Sequence, residues 1–290
     1  MEKKIERTLA LILLFLALPC ALIMLLGGRM EKVYRTIQDE AAYISVQTGQ
    51  GIRDMNLEEY VIGVTAAEMP QSYEPEAVKA QMVLTRTNLY RSKEEGKVWQ
   101  GAYVPLTELE AAGVADKFLK AQEATKQQIL TYEGEPVMAS FHALSAGNTR
   151  SGEETFQNEG YPYLKSKACP SDKRADDYEC RVQIADDWRG LTVVKKDSAG
   201  YVQQVQIGDA IYSGEEFRNL LGLPSAHFQV DERKEGIFLN IQGIGHGIGM
   251  SQNTAQEMAL SGKKYKEILG YFFEGTGLHK LSVSELADIK

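Results

Sequence analysis

The feature that most constrains this chain is an uninterrupted apolar run near its N-terminus. The segment LALILLFLALPCALIMLLGG, residues 9–28, carries no charged side chain, and a helix of about 20 apolar residues can cross the hydrocarbon core of a bilayer. A cleaved signal peptide would have a shorter apolar region followed by a small-x-small cleavage site, which this sequence lacks. Cys20 follows Pro19 inside the run, which is a poor context for lipidation. We therefore expect an uncleaved signal anchor.

This anchor divides the 290 residues into five parts. We predict a short tail at 1–8, a single membrane span at 9–28, a polar stalk at 29–43, one folded domain at 44–280 and a C-terminal tail at 281–290. Basic residues flank both ends of the span, so charge counting does not orient it.

The charge of the chain argues against nucleic acid as a ligand. The net charge is −8 and the pI is about 5.2, and no block of lysine and arginine is interleaved with aromatic residues. The hydrophobic fraction of 43% and the charged fraction of 25% are ordinary for a folded domain. A neutral or weakly charged substrate remains compatible with this balance.

Local signals predict two helices early in the domain, after a first strand in AYISVQT. Asn56 is a typical N-cap, with Glu59 three residues later, and Pro70 disfavours helix at the residue before it. A second helix opens at Pro75, a favoured first position, and extends to about residue 92. Its buried stripe would contain four side chains, Val78, Met82, Thr85 and Leu89.

The remainder of the domain mixes helices with antiparallel hairpins. We predict a helix near 111–124, hairpins that turn at 133–135 and 197–200, a short helix in GEEFRNLLGL, a strand in GIFLNIQG and two C-terminal helices broken at 261–262. Strands and helices come in runs without regular βαβ alternation, which favours the α+β class.

A lone carboxylate, Glu68, stands out in the otherwise uncharged segment 60–73. Small and apolar neighbours would leave it poorly hydrated and raise its pKa, and a carboxylic acid that stays protonated can donate a proton to a leaving group. The alternative is a solvated glutamate at a helix C-terminus. Arg86 lies at the edge of the buried stripe of the second helix and needs a hydrogen-bond acceptor, for which Glu68 is one candidate. A contact with Arg86 would lower the pKa of Glu68 again.

Two further segments could carry chemistry. His142 lies in SFHALSAGNTRSGEE, a loop whose small residues expose backbone amides; the alternative is a structural histidine at the end of a strand. His246 lies in GIGHGIGMSQ, where glycine at every second position lets another chain or a ligand lie flat against the backbone; a packed glycine-rich strand is the alternative.

Ser251 lacks the G-x-S-x-G context of a hydrolase nucleophile. We find no H-E-x-x-H or C-x-x-C spacing for a metal.

Cys169 and Cys180 form an even pair in CPSDKRADDYEC once Cys20 is assigned to the membrane. They are compatible with a disulfide in an oxidising exterior, or with two reduced thiols in a cytosolic loop.

Five segments in order resemble the SpoIID family of cell-wall proteins, over about residues 44–278. They are EEYVIGVTAAEMPQSYEPEAVKAQMVLTRTNLY, FHALSAGNTRSGEE, YPYLKSKACPSD, GEEFRNLLGL and GIGHGIGMSQNTAQEMALSGKKYKEILGYFFEGTGL. The resemblance implies a lytic transglycosylase that cuts between N-acetylmuramic acid and N-acetylglucosamine in glycan strands without stem peptides, leaving a 1,6-anhydro end. Glu68, in the E-M-P motif, would be the catalytic acid and then the base, so no second carboxylate is needed to activate water.

The resemblance also implies roles for other residues and partners. Substrate contacts are expected from seven side chains: Arg86, His142, Tyr163, Lys165, His246, Ser251 and Gln252. Some members bind zinc through cysteine and histidine near the FH loop, but FHALSAGNT has no thiol, so we expect no metal or cofactor. The domain would face outside with the N-terminus in the cytoplasm, in the engulfing septal membrane, with sporulation proteins P and M as partners. A non-catalytic glycan-binding enhancer of an amidase is the alternative function, and a zinc hydrolase is a third.

Overall fold

The computed structural model describes residues 42–48, 51–282 and 285. In this part of the chain the helices are α1 Leu57–Glu68, α2 Pro75–Glu94, α3 Leu106–Ala111, α4 Ala115–Thr125, α5 Gly152–Phe156, α6 Gly214–Leu221, α7 Gln252–Leu260 and α8 Tyr265–Phe272, with 3₁₀ turns at Asp172–Arg174 and Asp186–Trp188. The strands are β1 Tyr43–Thr48, β2 Gly51–Asn56, β3 Gln128–Tyr132, β4 Glu135–Pro136, β5 Phe141–His142, β6 Glu179–Ile184, β7 Thr192–Lys196, β8 Val202–Ile207, β9 Ala210–Ser213, β10 Phe228–Arg233, β11 Gly236–Gln242, β12 Met250–Ser251 and β13 Gly277–Lys280.

The predicted membrane span, residues 9–28, lies outside the described residues. Among the residues that are described, no helix has the length and apolar character needed to cross a bilayer. The mixture of helices with mostly antiparallel sheets confirms the α+β class.

The helical lobe, which we define as α1 to α4, α7 and α8 with the small sheets β1–β2 and β13–β3–β4, holds the larger hydrophobic cluster. Helix α1 begins where predicted, because the Asn56 side chain accepts hydrogen bonds from the amides of Glu58 and Glu59. It ends at Glu68, since Met69 is already extended ahead of Pro70. The predicted stripe of α2 is fully buried.

The β lobe, which we define as the sheets β10–β11–β6 and β7–β8–β9 with α6, surrounds a second cluster. A capping box at Ser213 and Glu216 starts α6, and Gly222 ends it in the left-handed conformation. The predicted hairpin of β7 and β8 is confirmed. The helix expected near 111–124 is α4, Ala115–Thr125, which begins four residues later than predicted; the preceding helix α3, Leu106–Ala111, was not predicted.

The candidate disulfide is also corrected, because Cys169 and Cys180 are both free. Cys169 is buried in the cluster of the helical lobe, where its amide donates to the carbonyl of Gly147. Cys180 is exposed on β6 of the β lobe, paired with Ile241. The two residues thus belong to different packing units.

The acceptor of Arg86 is Glu58, not the candidate Glu68. Its guanidinium is fully buried and donates to both carboxylate oxygens of Glu58 at 2.7 Å, and to the carbonyl of Gln128 at 3.1 Å. Burial alone would raise the pKa of Glu58, but the charge and hydrogen bonds of Arg86, with a bond from Gln122, hold it below its ordinary value. This pair ties α1 to α2 at the end remote from Glu68, so Arg86 and Glu68 do not meet.

We predict that Arg86→Leu destabilises the fold by about 3–5 kcal/mol, because removing one member of a buried pair leaves the other charge without compensation. Arg91→Leu, on the same helix, removes an exposed pair with Glu95 and should have little effect. Urea unfolding of the two variants is the measurement. Equal stability of both would contradict a structural role for the buried pair.

Candidate active site

Glu68 is the last residue of α1 and its carboxylate has no hydrogen-bond partner among the described residues. Burial raises its pKa, and burial is the whole cause, with no neighbouring charge contributing. The direction predicted from the sequence is confirmed. A half-buried, unpaired carboxyl group is therefore held closer to its protonated form than a glutamate in water.

Gln252 connects Glu68 to the glycine-rich segment. Its side-chain amide donates to the backbone carbonyl of Glu68 at 2.8 Å and to the side-chain oxygen of Gln81 at 3.2 Å. Both glutamine side chains are buried. Gln252 is the first residue of α7, whose N-cap is Ser251, so the start of α7 fixes the end of α1. Gln252 therefore holds the backbone of the candidate acid.

A buried carboxylate, Asp172, gathers the segments around this site. One oxygen accepts from the Ser145 amide and the Ser251 hydroxyl, both at 2.7 Å. The other accepts from Asn253 at 3.1 Å and from the Thr254 hydroxyl at 2.8 Å. Asp172 has no exposed surface, and charge-assisted bonds of this kind are stronger than neutral ones. It joins the FH loop to the N-terminus of α7.

The glycine-rich segment packs backbone against backbone, as its spacing predicted. Strand β12 pairs in parallel with β5, which brings Ser251 opposite His142. A Cβ on Gly245 would lie 2.6 Å from the Cβ of His142, and Gly249 lies against the carbonyl of Ser140. Both glycines have positive φ, so a larger residue would clash and be strained.

The two predicted histidines lie side by side, with ring centroids 5.8 Å apart. His142 is 4% exposed and its Nδ1 donates to the carbonyl of Ile248 at 3.1 Å. Burial, with a smaller effect of His246, lowers the pKa of His142 to about 3. Burial also lowers the pKa of His246. Both are neutral near pH 7.

The other predicted contacts differ in exposure. The hydroxyl of Tyr163 accepts from the Met138 amide at 2.8 Å and the residue is buried. Lys165 is exposed, and His246 is half-buried. Five of the predicted residues, Arg86, His142, Tyr163, Ser251 and Gln252, are buried and bonded within the protein, and their contact with substrate stays a prediction. Substrate contact by Lys165 and His246 stays a prediction.

Two buried charged residues, Asp172 and Arg150, were not predicted to belong to the site. Asp172 is the one carboxylate of the motif YPYLKSKACPSD, to which no role was assigned. The sequence offered one indication of its role: the segment MSQNT supplies hydroxyl and amide groups that a buried carboxylate could accept bonds from. Arg150 donates to Asp197 at 2.6 Å and to Glu215 at 2.8 Å, and it reaches the carbonyl of His246 at 3.3 Å. Arg150 thereby connects the FH loop to the β lobe.

The described part of the chain holds no cluster of metal-ligating side chains. Within residues 42–48, 51–282 and 285, no three histidine, cysteine, aspartate or glutamate side chains are grouped so that they could hold a metal ion.

Comparison with known proteins gives the class to which this fold and site belong. Residues 46–132 match the family SpoIID, described as "Stage II sporulation protein". The chain is 32% identical over 259 residues to Stage II sporulation protein D of Bacillus subtilis (strain 168), covering 78% of this chain and 75% of that protein. It is 30% identical over 263 residues to Stage II sporulation protein D of Bacillus amyloliquefaciens, covering 80% and 76%. The chain belongs to the SpoIID family.

A weaker similarity concerns the alternative function. The amidase enhancer of Bacillus subtilis (strain 168) is 24% identical over 289 residues, and the match covers 74% of this chain and 40% of that protein.

We predict that Asp172→Asn destabilises the protein by about 3 kcal/mol or more, because an amide nitrogen cannot accept the bonds that one carboxylate oxygen now accepts. Hydrogen exchange at residues 250–254 should accelerate together with the loss in thermal stability. Asp177→Asn, an exposed position in the same segment, is the matched control. Unchanged exchange at 250–254 in Asp172→Asn would show that the carboxylate does not hold α7.

Proposed function

We propose that the chain is a lytic transglycosylase of peptidoglycan that acts in engulfment during endospore formation. It would cleave the bond between N-acetylmuramic acid and N-acetylglucosamine in strands without stem peptides and leave 1,6-anhydro ends. The observation that carries the proposal is the isolated carboxyl group of Glu68, whose pKa is raised by burial alone. Similarity to the two sporulation proteins supports the biological setting.

The chemistry needs one group that is first an acid and then a base. The protonated Glu68 donates its proton to the glycosidic oxygen as the bond to C1 of muramic acid breaks. The resulting carboxylate then accepts the proton of the C6 hydroxyl as that oxygen bonds to C1. The nucleophile belongs to the substrate, so the chain needs no second carboxylate for activating water. An unpaired Glu68 is suited to both steps, since no arginine or lysine fixes it in the ionised form.

The surrounding residues fix the backbone of Glu68. Gln252 donates to its carbonyl, and Asp172 binds the start of the helix that carries Gln252. Catalytic groups must be held within about half an ångström of the productive geometry, so this support would position the carboxyl group for proton transfer. We propose that Lys165 and His246 contact the sugars. The cell-membrane location, the cytoplasmic N-terminus and the sporulation proteins P and M as partners are part of the same proposal and rest on the family resemblance.

The alternative is a non-catalytic module that binds glycan and stimulates a separate amidase, which the weaker similarity to an amidase enhancer favours. The two functions differ in products. A transglycosylase alone yields anhydro-ended fragments from denuded glycan, whereas an enhancer yields no new ends without its amidase.

We predict that Glu68→Gln abolishes release of anhydro-ended fragments while the protein remains folded, because the amide cannot donate the proton. Mass spectrometry of products from denuded glycan is the measurement. Glu59→Gln is a matched control, since Glu59 lies on the same helix and burial also raises its pKa; it should retain activity. Activity retained in Glu68→Gln would remove Glu68 as the acid.

The folded chain binds a proton at Glu68 more tightly than the unfolded chain does, so ionisation of Glu68 opposes folding. The variant Glu68→Gln should therefore be at least as stable as the wild type at neutral pH. A loss of stability there would indicate a structural role instead.

The rate should fall as pH rises, because kcat/KM depends on the protonated acid in the free enzyme. The raised pKa places this fall above pH 4.5, the ordinary value for glutamate. A pH profile of kcat/KM for denuded glycan measures the pH at which the rate falls. The control variant Glu59→Gln should show the fall at the same pH as the wild type. A fall in kcat/KM at or below pH 4.5 would contradict the pKa that burial raises at Glu68.

A further inference from the structure

The three-stranded sheet β10–β11–β6 has one face that the function proposed above does not use. Along β11, Ile237, Leu239 and Ile241 are buried in the cluster of the β lobe. Because side chains alternate along a strand, the residues between them project from the opposite face. Asn240 is exposed there, so this outer face is open to solvent.

Cross-strand register places polar side chains in rows on the outer face. Asn240 of β11 is paired with Arg181 of β6 on one side and with Gln229 of β10 on the other. One row further, Gln242 is opposite Glu179. Rows on the same face are about 7 Å apart. Five polar groups therefore share one surface.

A groove of about 380 Å³ lies over these rows. The polar residues that line it are Glu179, Arg181, His227, Gln229, Asn240 and Gln242, and a neighbouring depression shares Glu179 and Gln242. Sites for small molecules commonly have volumes of about 300–1,000 Å³. The groove is large enough for one or two sugar rings.

Two of the lining carboxamides are unused by the protein. Among the described residues, neither Gln229 nor Asn240 has a side-chain hydrogen-bond partner, although they stand next to each other. Gln242 is held by a bond to Glu179 at 2.6 Å. A carboxamide offers two N–H donors and one carbonyl acceptor. Adjacent free carboxamides on a rigid sheet therefore present alternating donors and acceptors in fixed positions.

The groove has one lining residue of each charge, Glu179 and Arg181. Arg181 forms an ion pair with Asp231 at 2.9 Å, and Glu179 accepts the bond from Gln242. Arg181 also covers the ring of Phe238, with its guanidinium carbon 4.1 Å from the centroid. The face thus offers neither the cationic excess that a polyanion requires nor the open apolar area of a subunit interface.

We infer that this groove binds an N-acetylated oligosaccharide, at a site separate from Glu68. Hydroxyl groups and acetamido groups each combine donors with acceptors and carry no charge, which matches free carboxamides in a groove without net charge. The groove would retain a glycan strand on the β lobe while another part of the strand reaches the acid. That the strand is cell-wall glycan rests on the proposed function; the ligand class rests on the groove.

Binding of tri-N-acetylchitotriose to the detergent-solubilised full chain tests this inference, with calorimetry in the Glu68→Gln background so that no turnover interferes. The double variant Asn240→Ala with Gln229→Ala should weaken binding to the groove by about tenfold. Cellotriose, which lacks acetamido groups, should bind more weakly than the chitotriose. An uncharged tetra-alanine peptide should not compete.

The matched control is Gln204→Ala with Gln206→Ala, two exposed glutamines on β8 of the other sheet. This control should bind the chitotriose like the parent. In the background with Glu68 intact, the groove variant should raise KM for long denuded glycan and leave kcat unchanged, whereas the control should change neither.

The outcomes separate this inference from the proposed function. Unchanged chitotriose affinity in the groove variant, or competition by the peptide in place of the sugar, would overturn the inference whatever Glu68 does. Full activity of Glu68→Gln together with groove-dependent binding would instead overturn the transglycosylase and leave the groove as a glycan site.

Discussion

The buried carboxylate of Asp172 is the interaction on which the arrangement around Glu68 depends. Its two oxygens bond an amide of the FH loop and three side chains at the start of α7. With α7 fixed, Gln252 reaches the end of α1 and holds the carbonyl of Glu68. The acid itself makes no such bond. The position of Glu68 is therefore set by a series of contacts that begins at Asp172. Asp172 is buried, and hydrogen bonds from the protein replace the water that would otherwise solvate its carboxylate.

Local sequence signals predicted the frame of the site. Asn56 caps α1, Pro70 requires the helix to stop, and the uncharged neighbours of Glu68 predicted the direction of its pKa shift. These effects act over a few residues, so they can be interpreted without knowing the fold. Alternating glycines likewise predicted the close backbone approach that β5 and β12 make.

Partner choice over long separations could not be predicted in the same way. Arg86 needed an acceptor, and both Glu58 and Glu68 are on the facing helix; only packing shows that Glu58 is the partner. Asp172 reaches residues about 80 positions later in the chain, and no periodicity indicates such a contact. Cys169 and Cys180 are close in sequence, which suggested a disulfide. The two thiols are free, because Cys169 is buried in the cluster of the helical lobe and Cys180 is exposed on the β lobe.

The contact between Gln252 and Glu68 joins residues that are 184 positions apart. Contacts between distant parts of a chain form late, because the entropy of closing the intervening loop must be overcome first. While the chain is being synthesised, α1 emerges long before α7. Until Gln252 is available, the carbonyl of Glu68 lacks the hydrogen bond that this side chain donates. A chain that stopped before α7 would therefore keep helix α1 and its N-cap but lose the contact that holds the helix end.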